Sequence, residues 1–157
     1  GGVIAPMALS RIVDGKTNIG ATLNGAIAGL VSITAEPLTP TIGQAIIIGG
    51  IGGILCMYGM KLLDKLKIDD VVGAIPAHLI AGIWGTIIVP FTNTDTSYGI
   101  QIIGILAFGV FTVVTTSIIW SILKMSIGIR ASEDDEEYGL DITETGTSGY
   151  PEYVSKK

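Results

Sequence analysis

His78 is the single histidine in 157 residues, and no other titratable side chain lies between residues 71 and 91. A histidine in so apolar a block is expensive in hydrocarbon and normally faces a bundle interior or a water-filled cavity. A neutral imidazole offers one donor and one acceptor nitrogen. It can therefore guide a small polar molecule or relay a proton. A structural histidine bonded to a neighbouring helix is the other reading. Asp70 precedes His78 by eight residues, which on a helix places the ring roughly 12 Å along the axis. Ala74 and Gly82, one turn either way, would leave space beside it. Pro76 lacks an N–H, frees the carbonyl of Val72 and can kink the helix. Asp69 and Asp70 can cap the helix start and complement its dipole. The sequence shows no nucleophile–base pair and no phosphate-binding loop. A lone histidine with one cysteine, Cys56, makes a poor metal site. No enzymatic activity, cofactor, metal or nucleic-acid partner is expected.

The elements that position these residues are long uncharged blocks. They cover about 18–35, 41–60, 71–91 and 99–123, with a partial apolar segment over 1–13. A spanning helix needs about 20 apolar residues to cross about 30 Å of hydrocarbon, and the first block only just qualifies. Helices of a soluble bundle would show a charged face, and none of these blocks does. The pairs Gly25/Gly29 and Gly49/Gly53 are GxxxG motifs, which let neighbouring helices approach closely in lipid. Trp84 and Trp120 read as packing or interfacial anchors, and Glu36 as a loop residue. The N-terminal residues have no basic stretch ahead of an apolar core, so they read as the end of a helix already under way, or as a short interfacial helix, rather than a signal peptide.

The charges fix a topology. All nine basic residues fall in three places: Arg11 and Lys16; Lys61, Lys65 and Lys67; and Lys124, Arg130, Lys156 and Lys157. The intervening loops, 36–40 and 92–98, contain none. Four alternating spans would put every basic residue on one side, which the positive-inside rule makes cytoplasmic. The expectation is a multi-pass protein of the cell membrane, with a transmembrane region over 1–125 and a cytoplasmic C-terminal tail over 126–157. The tail opens with the acidic run 133–137. A solvated, disordered tail is one reading. The other is docking on the cytoplasmic face through Tyr138, Leu140, Ile142, Tyr150 and Tyr153.

Three ordered motifs carry a resemblance over nearly the whole chain. The run from Asp69-Asp70 through His78 to Gly82 and Gly85 resembles the ammonium transporter family (Amt/Mep/Rh). The run 23–35 is similar to that family's eighth helix, and Gly139-Leu140-Asp141 through Gly146 and Tyr150 to its cytoplasmic C-terminal motif. The resemblance implies an all-α membrane protein with an eleven-transmembrane-helix fold. This chain would be its C-terminal portion, from the end of helix 7 to helix 11 plus the tail. It further implies a homotrimer in the lipid bilayer that conducts ammonium or ammonia through a hydrophobic twin-His pore in each subunit. His78 would be the second histidine of that pair, with Asp70, Pro76 and Gly82 structural in the pore helix. Gly139, Leu140, Asp141, Gly146 and Tyr150 would form the regulatory tail. Thr145 and Thr147 depart from the pattern, which commonly has His and Glu there. The alternative is an ammonium sensor or docking platform that binds a PII-type signal protein through the tail. An unrelated secondary transporter is a more remote reading.

Overall fold

The computed structural model describes residues 1–150, and every regular element among them is helical. The order is α1 (Ile4–Val13), α2 (Ile19–Ile33), α3 (Ile42–Leu66), a π-helical segment (Ile75–Ile80) running directly into α4 (Ala81–Thr92), α5 (Tyr98–Ser126), α6 (Glu133–Tyr138) and a second π-helical segment (Asp141–Thr145). Tyr153, Lys156 and Lys157 lie outside the described residues.

Local sequence sets the helix ends. The Asn18 side chain caps α2 by accepting from the Ala21 N–H at 2.9 Å. Thr41 and Gln44 form a reciprocal capping box at the start of α3, the Thr41 N–H donating to Gln44 Oε1 at 2.8 Å and the Gln44 N–H to Thr41 Oγ1 at 3.3 Å. Helix α3 continues six residues past the uncharged block and stops at Lys67, which takes a left-handed conformation with φ 57°. Lys61 and Lys65 suit these last turns because cations there oppose the negative end of the helix dipole. The loss of apolar character thus marks the edge of the hydrocarbon-compatible band and falls short of the helix end.

Two elements are shorter than the apolar blocks that hold them. Helix α2 is 15 residues long, about 22 Å at 1.5 Å per residue. Among the described residues three helices are long and apolar enough to cross a membrane, Ile42–Leu66, Ile75–Thr92 and Tyr98–Ser126, and α2 is a shorter apolar helix. The third apolar block also begins later than residue 71. Residues 71–73 form a turn in which Gly73 has φ +72°. Pro76 therefore falls in the first turn of its helix, where a missing N–H leaves no bond unmade. It interrupts no helix.

The chain divides into two compact units, residues 1–110 and 111–157, with the division inside α5. None of α5's residues is buried. In the first unit, α1 wedges between α2 and α3. A Cβ added at Gly25 would collide with the Gly2 carbonyl and lie 2.6 Å from Pro6 Cγ, and one at Gly53 would lie 2.5 Å from the Gly2 carbonyl and 3.0 Å from Pro6 Cδ. Both GxxxG motifs serve this close approach. Beneath it, Ala28, Cys56, Ala77 and Ala81 form a fully buried cluster, flanked by Val31 and Met60. Trp84 packs against α3 and donates its indole N–H to the Ile48 carbonyl at 3.0 Å.

Polar contacts tie each end of this bundle. At one end Lys61 Nζ meets Asp14 Oδ1 at 2.6 Å. At the other, Asn93 Nδ2 donates to Glu36 Oε2 at 2.8 Å, and the Thr39 and Thr92 hydroxyls are 3.3 Å apart. The end of α4 thus meets the α2–α3 loop, so α2, α3 and α4 alternate in direction. Arg11, Lys16, Lys61, Lys65 and Lys67 sit toward the Asp14 end, as the charge pattern requires.

Candidate functional site around His78

The site is built on the six-residue π-helical segment Ile75–Ile80. The Ala81 N–H reaches back five residues to the Pro76 carbonyl, the i→i+5 pattern that marks π-helix and is frequent at functional sites. A π turn holds more residues than an α turn, so residues four apart across it no longer stack. Ala74, His78 and Gly82 therefore do not share the single face that a regular helix would give them.

Asp70 holds the segment's start. Its carboxylate accepts from the Ala74 N–H at 2.8 Å and the Ile75 N–H at 2.9 Å. It satisfies two of the donors that a helix N-terminus otherwise leaves without partners. Gly73 makes the turn into the helix. Its positive φ excludes most side chains, and a Cβ there would lie 3.2 Å from Asn24 Nδ2 and 3.4 Å from Met60 Cε.

Beyond that turn the two sides of the helix differ. Pro76, Ala77, Ala81, Gly85 and Val89 are buried. Pro76 lies against Gly59 of α3, and Gly85 against the backbone of Ser32 in α2. His78 and Leu79 are exposed on this chain. No hydrogen bond to the His78 ring forms among the described residues. Gly82 is half-buried, and the nearest atom to a Cβ added there is Val31 Cγ1 at 3.7 Å, so that side keeps ordinary space. The arrangement is an imidazole carried on a firmly held backbone with both ring nitrogens open, in a helix otherwise uncharged for its whole length. Such a group can exchange hydrogen bonds with one small polar molecule at a time. Among the described residues no group of three His, Cys, Asp or Glu side chains could hold a metal ion.

In the second unit the tail positions belong to a locally bonded structure. Ser132 caps α6, its hydroxyl accepting from the Asp135 N–H at 3.1 Å. Arg130 binds both oxygens of Glu136, at 2.8 and 2.9 Å. Asp141 accepts from the Gly149 N–H at 2.6 Å and the Ile142 N–H at 2.9 Å, closing a short loop. Those amide donors hold its carboxyl below the usual range. Asp135 is lowered by the Ser132 and Thr143 hydroxyls, and Glu136 by Arg130. Gly139 and Gly146 take positive φ, 107° and 71°, and Gly146 ends the second π-helical segment. Thr145 and Thr147 place their hydroxyls 3.1 Å apart. Leu140, Ile142 and Tyr150 are exposed at 42%, 45% and 71%.

Sequence reasoning named His78, Asp70 and Pro76 but missed the π-helical segment and Gly59. A proline three residues after a glycine that ends a turn was the available signal for where the helix begins. Nothing in residues 75–80 themselves announces the π form.

The model of the Ammonium Transporter Family matches residues 1–150. The chain is 38% identical to the ammonium transporter Amt2 of Archaeoglobus fulgidus, over 98% of this chain and 37% of that protein. It is 32% identical to the ammonium transporter Amt1 of Haloferax mediterranei, over 99% of this chain and 31% of that one. It is 34% identical to an ammonium transporter of Bacillus subtilis, over 95% of this chain and 41% of that one. The chain thus spans between about a third and two fifths of the length of these relatives.

Proposed function

The chain belongs to the ammonium transporter family, and from that premise we propose that the whole protein conducts ammonium or ammonia across a membrane, with His78 in the wall of the path. The observation that carries this is the placement of His78. It is the one titratable side chain in an 18-residue apolar spanning segment, it is exposed, and it has no hydrogen-bond partner among the described residues. Desolvating a full charge in so apolar a setting costs far more than desolvating a neutral polar molecule. A path of this kind favours ammonia over the ion at the narrowest point, with hydrogen bonds exchanged at the imidazole. A second histidine from another part of the protein would complete the pair, and homotrimers would carry one path per subunit. The basic end of the bundle and the C-terminal tail would face the cytoplasm.

The test is uptake by the full-length protein. His78→Ala should change the ammonium transport rate or its selectivity over other monovalent cations. Unchanged rate and selectivity would remove His78 from the path.

A second role for the tail is favoured by its local order. Asp141, Asp135 and Glu136 all engage specific partners, and Leu140, Ile142 and Tyr150 remain exposed. This is a surface suited to docking a PII-type signal protein. Removing residues 133–157 should leave uptake in place and abolish such binding.

A further inference from the structure

We propose that Gly59 is a positioning residue for His78, an inference that rests on the reading of His78 as a path residue. Gly59 is buried in α3 and faces the π-helical segment. A Cβ added at Gly59 would stand 2.7 Å from Pro76 Cβ, 2.7 Å from Ile80 Cδ1 and 3.6 Å from Pro76 Cα. These two residues bracket His78, two positions before it and two after. Ile80 can swing its terminal methyl aside. Pro76 cannot: its ring is fused to the backbone, and it is among the largest fully buried side chains. Any side chain at position 59 must therefore push the backbone of residues 75–80 away from α3.

Among the described residues His78 has no hydrogen bond of its own to correct such a displacement. Its ring goes where the backbone carries it. The segment is held by Asp70 at its start, by Ala77 in the buried cluster and by the Gly59 surface along its flank. Gly25 and Gly53 are comparably crowded, but by Gly2 and Pro6 of α1, away from residues 75–80. They are built-in controls for crowding without displacement of His78.

The experiment uses the full-length protein reconstituted in liposomes. The readout is the ratio of methylammonium to ammonium transport, normalised to folded protein. Gly59→Ala should shift this ratio in the same direction as His78→Ala, by about threefold or more, since an ångström of misplacement at a working group can cost about a hundredfold. Gly25→Ala should lower the yield of folded protein and leave the ratio unchanged. Adding Pro76→Gly to Gly59→Ala removes the clashing Cβ and should restore part of the shift. Should Gly59→Ala fail to fold, Pro76→Gly alone loosens the same contact and should move the ratio. An unchanged ratio in Gly59→Ala, or in Pro76→Gly when that variant must stand in, overturns the proposal. If His78→Ala also leaves the ratio unchanged, the path reading falls and this inference falls with it. If His78→Ala shifts the ratio and the Gly59 and Pro76 variants do not, only the positioning role is lost.

Discussion

Lys61 Nζ lies 2.6 Å from Asp14 Oδ1, so the last turns of α3 are pinned to the residue that follows α1. Both side chains keep access to solvent, at 38% and 29%. An ion pair of this exposure contributes about 0.2–1 kcal/mol. A double-mutant cycle with Lys61→Ala and Asp14→Ala, read by thermal unfolding in detergent, should give a coupling energy in that range and a smaller one at high salt. A coupling that salt leaves unchanged would mean packing rather than charge joins the two helices.

Asp70 has a larger effect. Asp70→Ala leaves the Ala74 and Ile75 amides without their acceptor. The loss of such a cap costs about 0.5–2 kcal/mol. Asp70→Asn keeps one acceptor oxygen and should recover part of the difference. Hydrogen exchange at Ala74 and Ile75 should accelerate in Asp70→Ala and change little along α3. Unaltered exchange at those two amides would show that the cap is dispensable.

Glycines should separate into two classes. Gly25→Ala forces a methyl group into Pro6 and the Gly2 carbonyl, and overpacking of this kind typically costs about 1–3 kcal/mol. Gly43 and Gly104 have nothing within 4 Å of an added Cβ. Alanine there should be neutral or should stabilise by up to about 1 kcal/mol, the helix-propensity difference. Thermal unfolding of the three variants side by side measures the contrast.

The tail should respond to acid. Hydrogen-bond donors hold the Asp141 carboxyl below its ordinary value. The loop it closes is therefore stabilised at pH values above the unfolded carboxylate range, and that contribution is lost as pH falls through the lowered folded-state value. The Gly149 amide resonance should follow this titration, with a midpoint below that of an ordinary aspartate. Asp141→Asn should flatten the response over the same window. A midpoint at or above the ordinary value would contradict the closed loop.

The sequence made the helical class legible because apolar blocks without charged faces have few other uses. It made the alternation of α2, α3 and α4 legible because basic residues avoid the 36–40 and 92–98 loops. Asp70 as a cap and His78 as the group of interest also followed from residue type and position. Other features depend on contacts between elements. Pro76 looked like a helix interruption because the apolar block begins at residue 71, and only the Gly73 turn shows that the helix starts after it. Gly59 carries no signal of its own, since a glycine in a glycine-rich helix looks like every other. The partner that crowds it lies 17 residues away in sequence.

The π-helical segment makes the site sensitive to chain length as well as to residue identity. Between Asp70, fixed by its two amide bonds, and Ala81, fixed in the buried cluster, the segment takes up one residue more than an α-helix would over the same rise. Deleting one residue from 75–80 would let the backbone close into regular α-helix while Asp70 and Ala81 stay in place. The imidazole would then swing around the helix axis while both ends of the segment stay anchored. Such a chain would present a different side chain where His78 now stands.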